Sequence, residues 1–342
     1  MSQMNNDGGD NFVGKYDPNS TTQSFIADMS SGFAHDMLAD SEAPKHGASP
    51  AGGEVAGSGN LFVQMVRVFR QNKVALFCVG LLVFIVLFCF LGPYIYTTNQ
   101  TDLTAFLGET CSAPPSWKHP LGTDASCFDM LGRMMVGGQA SLSVGFLAAM
   151  LAVVVGVVYG VIAGYRGGAV DAVMMRFIDI MLSIPSLFLI LAVITIFGRN
   201  RTLMILVIGL LGWFGTSRLL RAEALTLRER EFAQAVRSMG GGSPRIVQHH
   251  IIPNSISTIA TVATFAIGDA IFALAGLGFL GLGLMLPDTD WGTILNASLD
   301  AIYNNYWWQV YPVSILFLAV IISFNYIGDA LRDAFEVRLR ER

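Results

Sequence analysis

Between Lys73 and Asp102 the chain runs for 28 residues without a charged side chain, through "VALFCVGLLVFIVLFCFL". A helix needs roughly 20 mostly apolar residues to cross the hydrocarbon core of a bilayer. Further charge-free runs follow at 134–165, 180–198, 202–217, 270–287 and 301–328. The third extends backward through "RFIDIML". The fourth is short and must borrow from its flanks, and the fifth continues a helix that begins near Ser257. Backbone polar groups in lipid must find partners inside the protein, which a helix supplies within one segment. The runs therefore predict an all-α membrane protein with about six transmembrane helices. Composition agrees, because only 13% of residues are charged, against about 25% in soluble domains.

The first 60 residues are polar and rich in Gly, Ser, Asp and Asn. They lack the basic start and apolar stretch of a signal peptide, and read as a disordered cytoplasmic tail (1–60) before a transmembrane domain (61–342). One stretch, 24–40, has apolar residues spaced as in a short amphipathic helix. Orientation follows from charge. With the N-terminus inside, the inner flanks hold 15 Lys and Arg, and the outer loops hold 4 (Lys118, Arg133, Arg199 and Arg201). The positive-inside rule then puts both termini in the cytoplasm. It makes 97–138 and 285–308 outer loops and 220–256 a cytoplasmic connection.

Within the spans, Gly156, Gly160 and Gly164 form two consecutive GxxxG units, which let another helix approach closely. That helix belongs either to this chain or to a partner subunit. Gly276-Leu-Gly278-Phe-Leu-Gly281 matches a dinucleotide fingerprint but lies inside an apolar run, without the strand that such a site requires. No G-x-x-x-x-G-K-[ST] occurs, so the chain is not expected to bind ATP by a P-loop. Asp179 and Asp269 are acids near or within spans, where insertion at mid-helix costs roughly 2.5–3.5 kcal/mol. They sit either at a membrane edge or on a pore. Cys111 and Cys127, 16 positions apart on the outer face, are a possible disulfide. Cys78 and Cys89 are packing residues, and no Cys/His spacing marks a metal site. Trp291, Trp307 and Trp308 are read as anchors in the aromatic belt.

The cytoplasmic connection looks like a piece of a soluble protein. "TLREREFAQAVRSM" (226–239) has helical apolar spacing, and Gly240-Gly241-Gly242 ends it. Ser243 suits the cap of a second helix and Pro244 its first position. That helix runs through "RIVQHHII" and stops by Pro253. A DNA-binding helix-turn-helix tethered between two spans is ill placed to reach a major groove, so nucleic acid is not an expected partner. A passive loop and a docking knob for a soluble partner are the other readings.

This segment resembles the EAA loop of ABC importer permeases, E-A-A-x(3)-G-x(9)-I-x-L-P. The pattern falls on Gln234, Ala235, Val236, Gly240, His250, Ile252 and Pro253, with Gln, Val and His as departures. "HPLGTD" (119–124), "VMMRFIDIMLSIPSLFLI" (173–190), "FLGLG" (279–283), "DWGTIL" (290–295) and "FNYIGDALRDAFEVRLR" (324–340) extend the resemblance to the C-type permeases of dipeptide and oligopeptide importers. Cys127 and Phe128 stand where that family commonly has Gly and Arg. Leu274 stands where it often has an acid, with Asp269 five residues earlier.

The resemblance implies a type I ABC importer permease (MetI-like) fold in a bacterial cytoplasmic (inner) membrane, in contact with lipid. It implies four partners: a B-type permease, two cytoplasmic ATPase subunits and an extracytoplasmic peptide-binding protein. ATP and Mg would be bound by the ATPases, with no cofactor on this chain and no enzymatic role for it. Phe232, Gln234, Ala235, Val236, Met239, Gly240, Ile252 and Pro253 would couple to the ATPase. Related importers of nickel, glutathione or antimicrobial peptides share these motifs. A stand-alone secondary transporter should show intramembrane charge pairs or an inverted repeat, and neither is clear.

Overall fold

A computed structural model describes residues 69–97, 110–240 and 242–340, without the side chains of 336–340. The 1–60 tail, with its 24–40 stretch, lies outside these residues. Five described helices are long and apolar enough to cross a membrane. They are α1 (Lys73–Ile95), α2 (Met130–Arg166), α5 (Arg201–Arg228), α9 (Ile256–Phe279) and α12 (Trp307–Arg340). The sixth expected crossing is not one rod. It is a pair, α3 (Gly168–Ser183) and α4 (Ser186–Phe197), bent by 76°. Pro185 stands between them and lacks the N–H that a continuous helix would use.

Local sequence sets the helix starts. Asn72, Asp129 and Asn200 cap α1, α2 and α5, accepting from the N–H groups of Ala75, Gly132 and Leu203 at 3.1, 2.8 and 2.8 Å. Each such cap contributes about 1 kcal/mol. α2 thus begins at Met130, so the first outer loop ends at Asp129 rather than at 138. α5 extends to Arg228, which gives the short fourth run its length and takes residues 220–228 out of the cytoplasmic loop.

The most extensive pairing is between α2 and α5. A Cβ on Gly156 would meet Thr216 and the Trp213 carbonyl, and one on Gly160 or Gly164 would meet the α5 backbone at Ser217 or Arg221. Ser217 Oγ also donates to the Gly156 carbonyl at 3.1 Å. The GxxxG stripe therefore serves packing inside the chain and is not left open for a partner subunit. α9 packs against α2, α5 and α12, and its buried Ala270, Leu274 and Leu277 join α2, α4 and α5 in one core. Ile271 joins a second core with α1 and α12. In α1, Ala75, Cys78, Leu82, Ile85, Cys89 and Gly92 form a single buried stripe, while Phe77 and Phe84 face outward. A helix apolar on both faces fits lipid on one side and protein on the other.

The loops expected on the outer face are tied together. The turn after α9 leads to α10 (Trp291–Ala297) and α11 (Leu299–Tyr303). Asp290 caps α10, accepting from Thr293 N at 2.9 Å, and its second oxygen accepts from Leu284 N at 2.9 Å. Burial pushes this carboxyl above the ordinary aspartate range, opposed by the bonds from Thr293, Leu284 and Gly292. Trp291 is 0% exposed and donates from Nε1 to the Met134 carbonyl at 3.1 Å. Trp308 is also buried and donates to the Thr123 carbonyl at 3.3 Å. These two tryptophans are internal fasteners and not membrane-belt anchors, and of the three expected anchors Trp307 alone is exposed. A disulfide joins Cys111 to Cys127 in the first outer loop. Close by, Tyr96 and His119 both reach Asp129 Oδ2, at 2.9 and 2.7 Å.

Candidate functional site

The polar segment after α5 folds as two short arms. The chain breaks helix at Glu229 and Arg230, so residues 226–228 finish α5 and do not start the first arm. α6 (Glu231–Ser238) is that arm. Its amphipathic spacing buries Ala233 completely and half-buries Phe232 and Val236, while Gln234, Ala235 and Ser238 face out. Gln234 Nε2 donates to the Glu229 carbonyl at 3.0 Å, which closes the break on itself. Met239 is 78% exposed at the tip.

The turn follows from Gly240. Its φ of +81° lies in the left-handed region that a Cβ disfavours, and its N–H bonds to the Arg237 carbonyl at 3.0 Å. The second arm begins at α7 (Ser243–Ile246), passes through a π-turn (Val247–Ile251) and ends as α8 (Ile252–Asn254). Gly242 takes the cap position and Ser243 makes no capping bond, so the expected Ser243 cap does not form. Pro253 does not stop the arm either. The helix passes it, and the break comes at Ser255 (φ −90°, ψ 5°). Because Pro253 cannot donate, helix geometry must loosen just before it. The π-turn does this, and Asn254 Nδ2 donates to the His250 carbonyl at 2.6 Å.

Both arms are seated on the spans. Ala233, Ile246 and Ile251 are buried with Val153, Val157 and Val161 of α2 and Leu220 and Ala224 of α5, flanked by Phe232, Val236 and Ile252. Phe232 faces His250 across the two arms, with ring centroids 6.0 Å apart. The Arg237 guanidinium lies over the Tyr165 ring at 5.3 Å, and Arg228 donates to the Gly164 carbonyl at 3.2 Å. Nearby, Arg221 holds Asp171 of α3 through two bonds of 2.6 and 2.5 Å. Phe232 and Val236, expected as partner contacts, thus point into this chain. The outward face is Gln234, Ala235, Ser238, Met239, Gly240, Pro244 and Pro253. Ala233, a small residue that suits a partner's close approach, is instead buried in this chain, and so are Ile246 and Ile251, which were not singled out in the sequence.

Above this loop is a cavity of about 430 Å³ between α2, α4, α5 and α9. Ala148, Ala152, Gly212, Gly215 and Ala266 make it wide, and Asp269 of α9 opens into it. Asp179 takes another course, pairing with Arg218 of α5.

Residues 156–341 match the family model described as binding-protein-dependent transport system inner membrane component. Residues 60–115 match the N-terminal transmembrane domain of oligopeptide transport permease C. The chain is 35% identical to the oligopeptide transport system permease protein OppC of Haemophilus influenzae over 82% of its own length and 90% of that protein. It is 37% identical to the OppC of Escherichia coli K12, over 80% and 90%. It is 31% identical to the dipeptide transport system permease protein DppC of Bacillus subtilis, over 80% and 85%.

Proposed function

The chain belongs to the binding-protein-dependent transport system inner membrane components, and from that membership we infer that it is a permease subunit of an ATP-driven peptide importer. It is a multi-pass protein of the inner membrane, with both termini in the cytoplasm as its charge asymmetry supports. It lines half of a translocation path with a second, B-type permease. Two cytoplasmic ATPase subunits bind and hydrolyse ATP with Mg, and an extracytoplasmic binding protein delivers the peptide. This chain catalyses nothing.

One observation carries the coupling mechanism. The two-arm loop buries one face in the cytoplasmic core of α2 and α5 and leaves the other exposed. An ATPase subunit that grips the Gln234–Pro253 knob by its outward face moves the ends of the spans with it, as a rigid body. The bend at Pro185 gives α3 and α4 separate directions, and Arg221–Asp171 ties α3 to α5, so motion of α5 reaches the broken span.

The test is uptake by the reconstituted complex, comparing di- and oligopeptides with nickel. ATP-dependent peptide uptake is expected. Nickel uptake without any peptide response would refute the peptide reading, and solute movement by the purified chain alone would refute the importer reading.

A further inference from the structure

We propose that Asp269 is a specificity residue on the translocation path, and that it recognises the free α-ammonium group of the peptide. This rests on the peptide-permease reading above and adds a chemical basis for selection to it.

The geometry starts from position. Asp269 lies 13 residues into α9, so at helical rise it stands about 20 Å from that helix's cytoplasmic end. It opens into the 430 Å³ cavity, where Ser186 and Thr216 supply hydroxyls and most other lining residues are apolar. Other acids of this region are neutralised. Asp171 is held by Arg221 and Asp179 by Arg218. Among the described residues no basic side chain pairs with Asp269. An intramembrane carboxylate facing a cavity calls for a cationic counterpart.

The lining says which cation. Ala148, Ala149, Ala152, Gly212, Gly215, Ala266, with their short or absent side chains, leave width and few handles. Such a slot tolerates varied side chains and cannot sort them by shape. The feature that every unblocked peptide shares is its terminal ammonium group, and one carboxylate in an apolar slot attracts that end while repelling the terminal carboxylate. The path then selects a free amine and sets which end leads.

The complete complex is reconstituted in proteoliposomes with ATP, carrying wild-type chain, Asp269→Asn or Asp269→Glu. Uptake is measured for trialanine and for propionyl-alanyl-alanine, which lacks only the amine. The same binding protein serves every arm, so differences between variants arise in this chain. Asn is expected to lower trialanine uptake at least about tenfold, while Glu retains most of it and uptake of the desamino peptide is equal in all three. Wild-type trialanine uptake by the Asn variant overturns the proposal. So does an equal fall for both peptides, or a Glu variant as weak as Asn. Reduced co-purification of the second permease with the Asn variant also overturns it, since the carboxylate then serves a basic side chain of that partner. If wild type takes up neither peptide, the peptide-permease reading falls as well, which separates the two failures.

Discussion

Gly240 and Gly160 fail in different ways when substituted. Around Gly240 there is open space, so only its backbone conformation resists a side chain. Gly240→Ala should cost about 1 kcal/mol and leave uptake near normal. Gly240→Pro cannot adopt φ +81° and loses the bond to Arg237. That variant should insert in the membrane, as shown by fractionation, yet transport nothing. Normal transport would refute the knob mechanism. Gly160 has ordinary helical backbone but no space, because α5 main chain lies against it. Gly160→Leu should therefore destabilise the isolated chain by about 1–3 kcal/mol or more, read as a lower melting temperature in detergent. A loss seen only in the assembled complex would contradict the internal packing. The glycines were legible as a close-contact stripe from spacing alone. Which helix they touch was not, since a stripe records proximity without naming its neighbour.

At the level of elements, the two-arm loop separates a structural face from the proposed docking face. Phe232→Ala removes part of the seat on α2 and α5 and should lower thermal stability by roughly 2 kcal/mol, less than for a fully buried Phe. Met239 is 78% exposed, so Met239→Gln should change stability little while weakening ATPase co-purification. If the two outcomes exchange, the assignment of faces is inverted. The sequence showed that α6 is amphipathic but could not say whether the apolar side met this chain or another. The same ambiguity misplaced Trp291 and Trp308, whose polar edges turned out to have backbone acceptors inside. The bend at Pro185 had a local signal in its proline, hidden by the apolar run continuing through it. In the outer loop, reducing the Cys111–Cys127 bridge should lower stability by roughly 3 kcal/mol, the chain-entropy value for a loop of this length. Unchanged melting under reductant would show that the bridge contributes little.

For the whole molecule, the helices long and apolar enough to cross a membrane were deducible because lipid imposes a length rule that acts on sequence directly, and the charge rule supports a cytoplasmic two-arm loop. The interlock of outer loops was less accessible, since Thr123, Trp308 and Trp291 act through bonds across long sequence separations. Topology can be checked at two exposed positions. Cysteine at Trp117, which is fully exposed, should react with an impermeant maleimide added outside intact cells. Cysteine at Met239 should react only after permeabilisation. Equal labelling without permeabilisation would overturn the orientation. The native Cys78 and Cys89 are buried and give a low background. A lever is useful only if its root is stiffer than the load it moves. Because Ala233, Ile246 and Ile251 are packed into the same hydrophobic mass as the ends of α2 and α5, the joint has little compliance. Under the proposed coupling, work done on the tip is delivered as displacement of the spans before it can be dissipated in bending the loop.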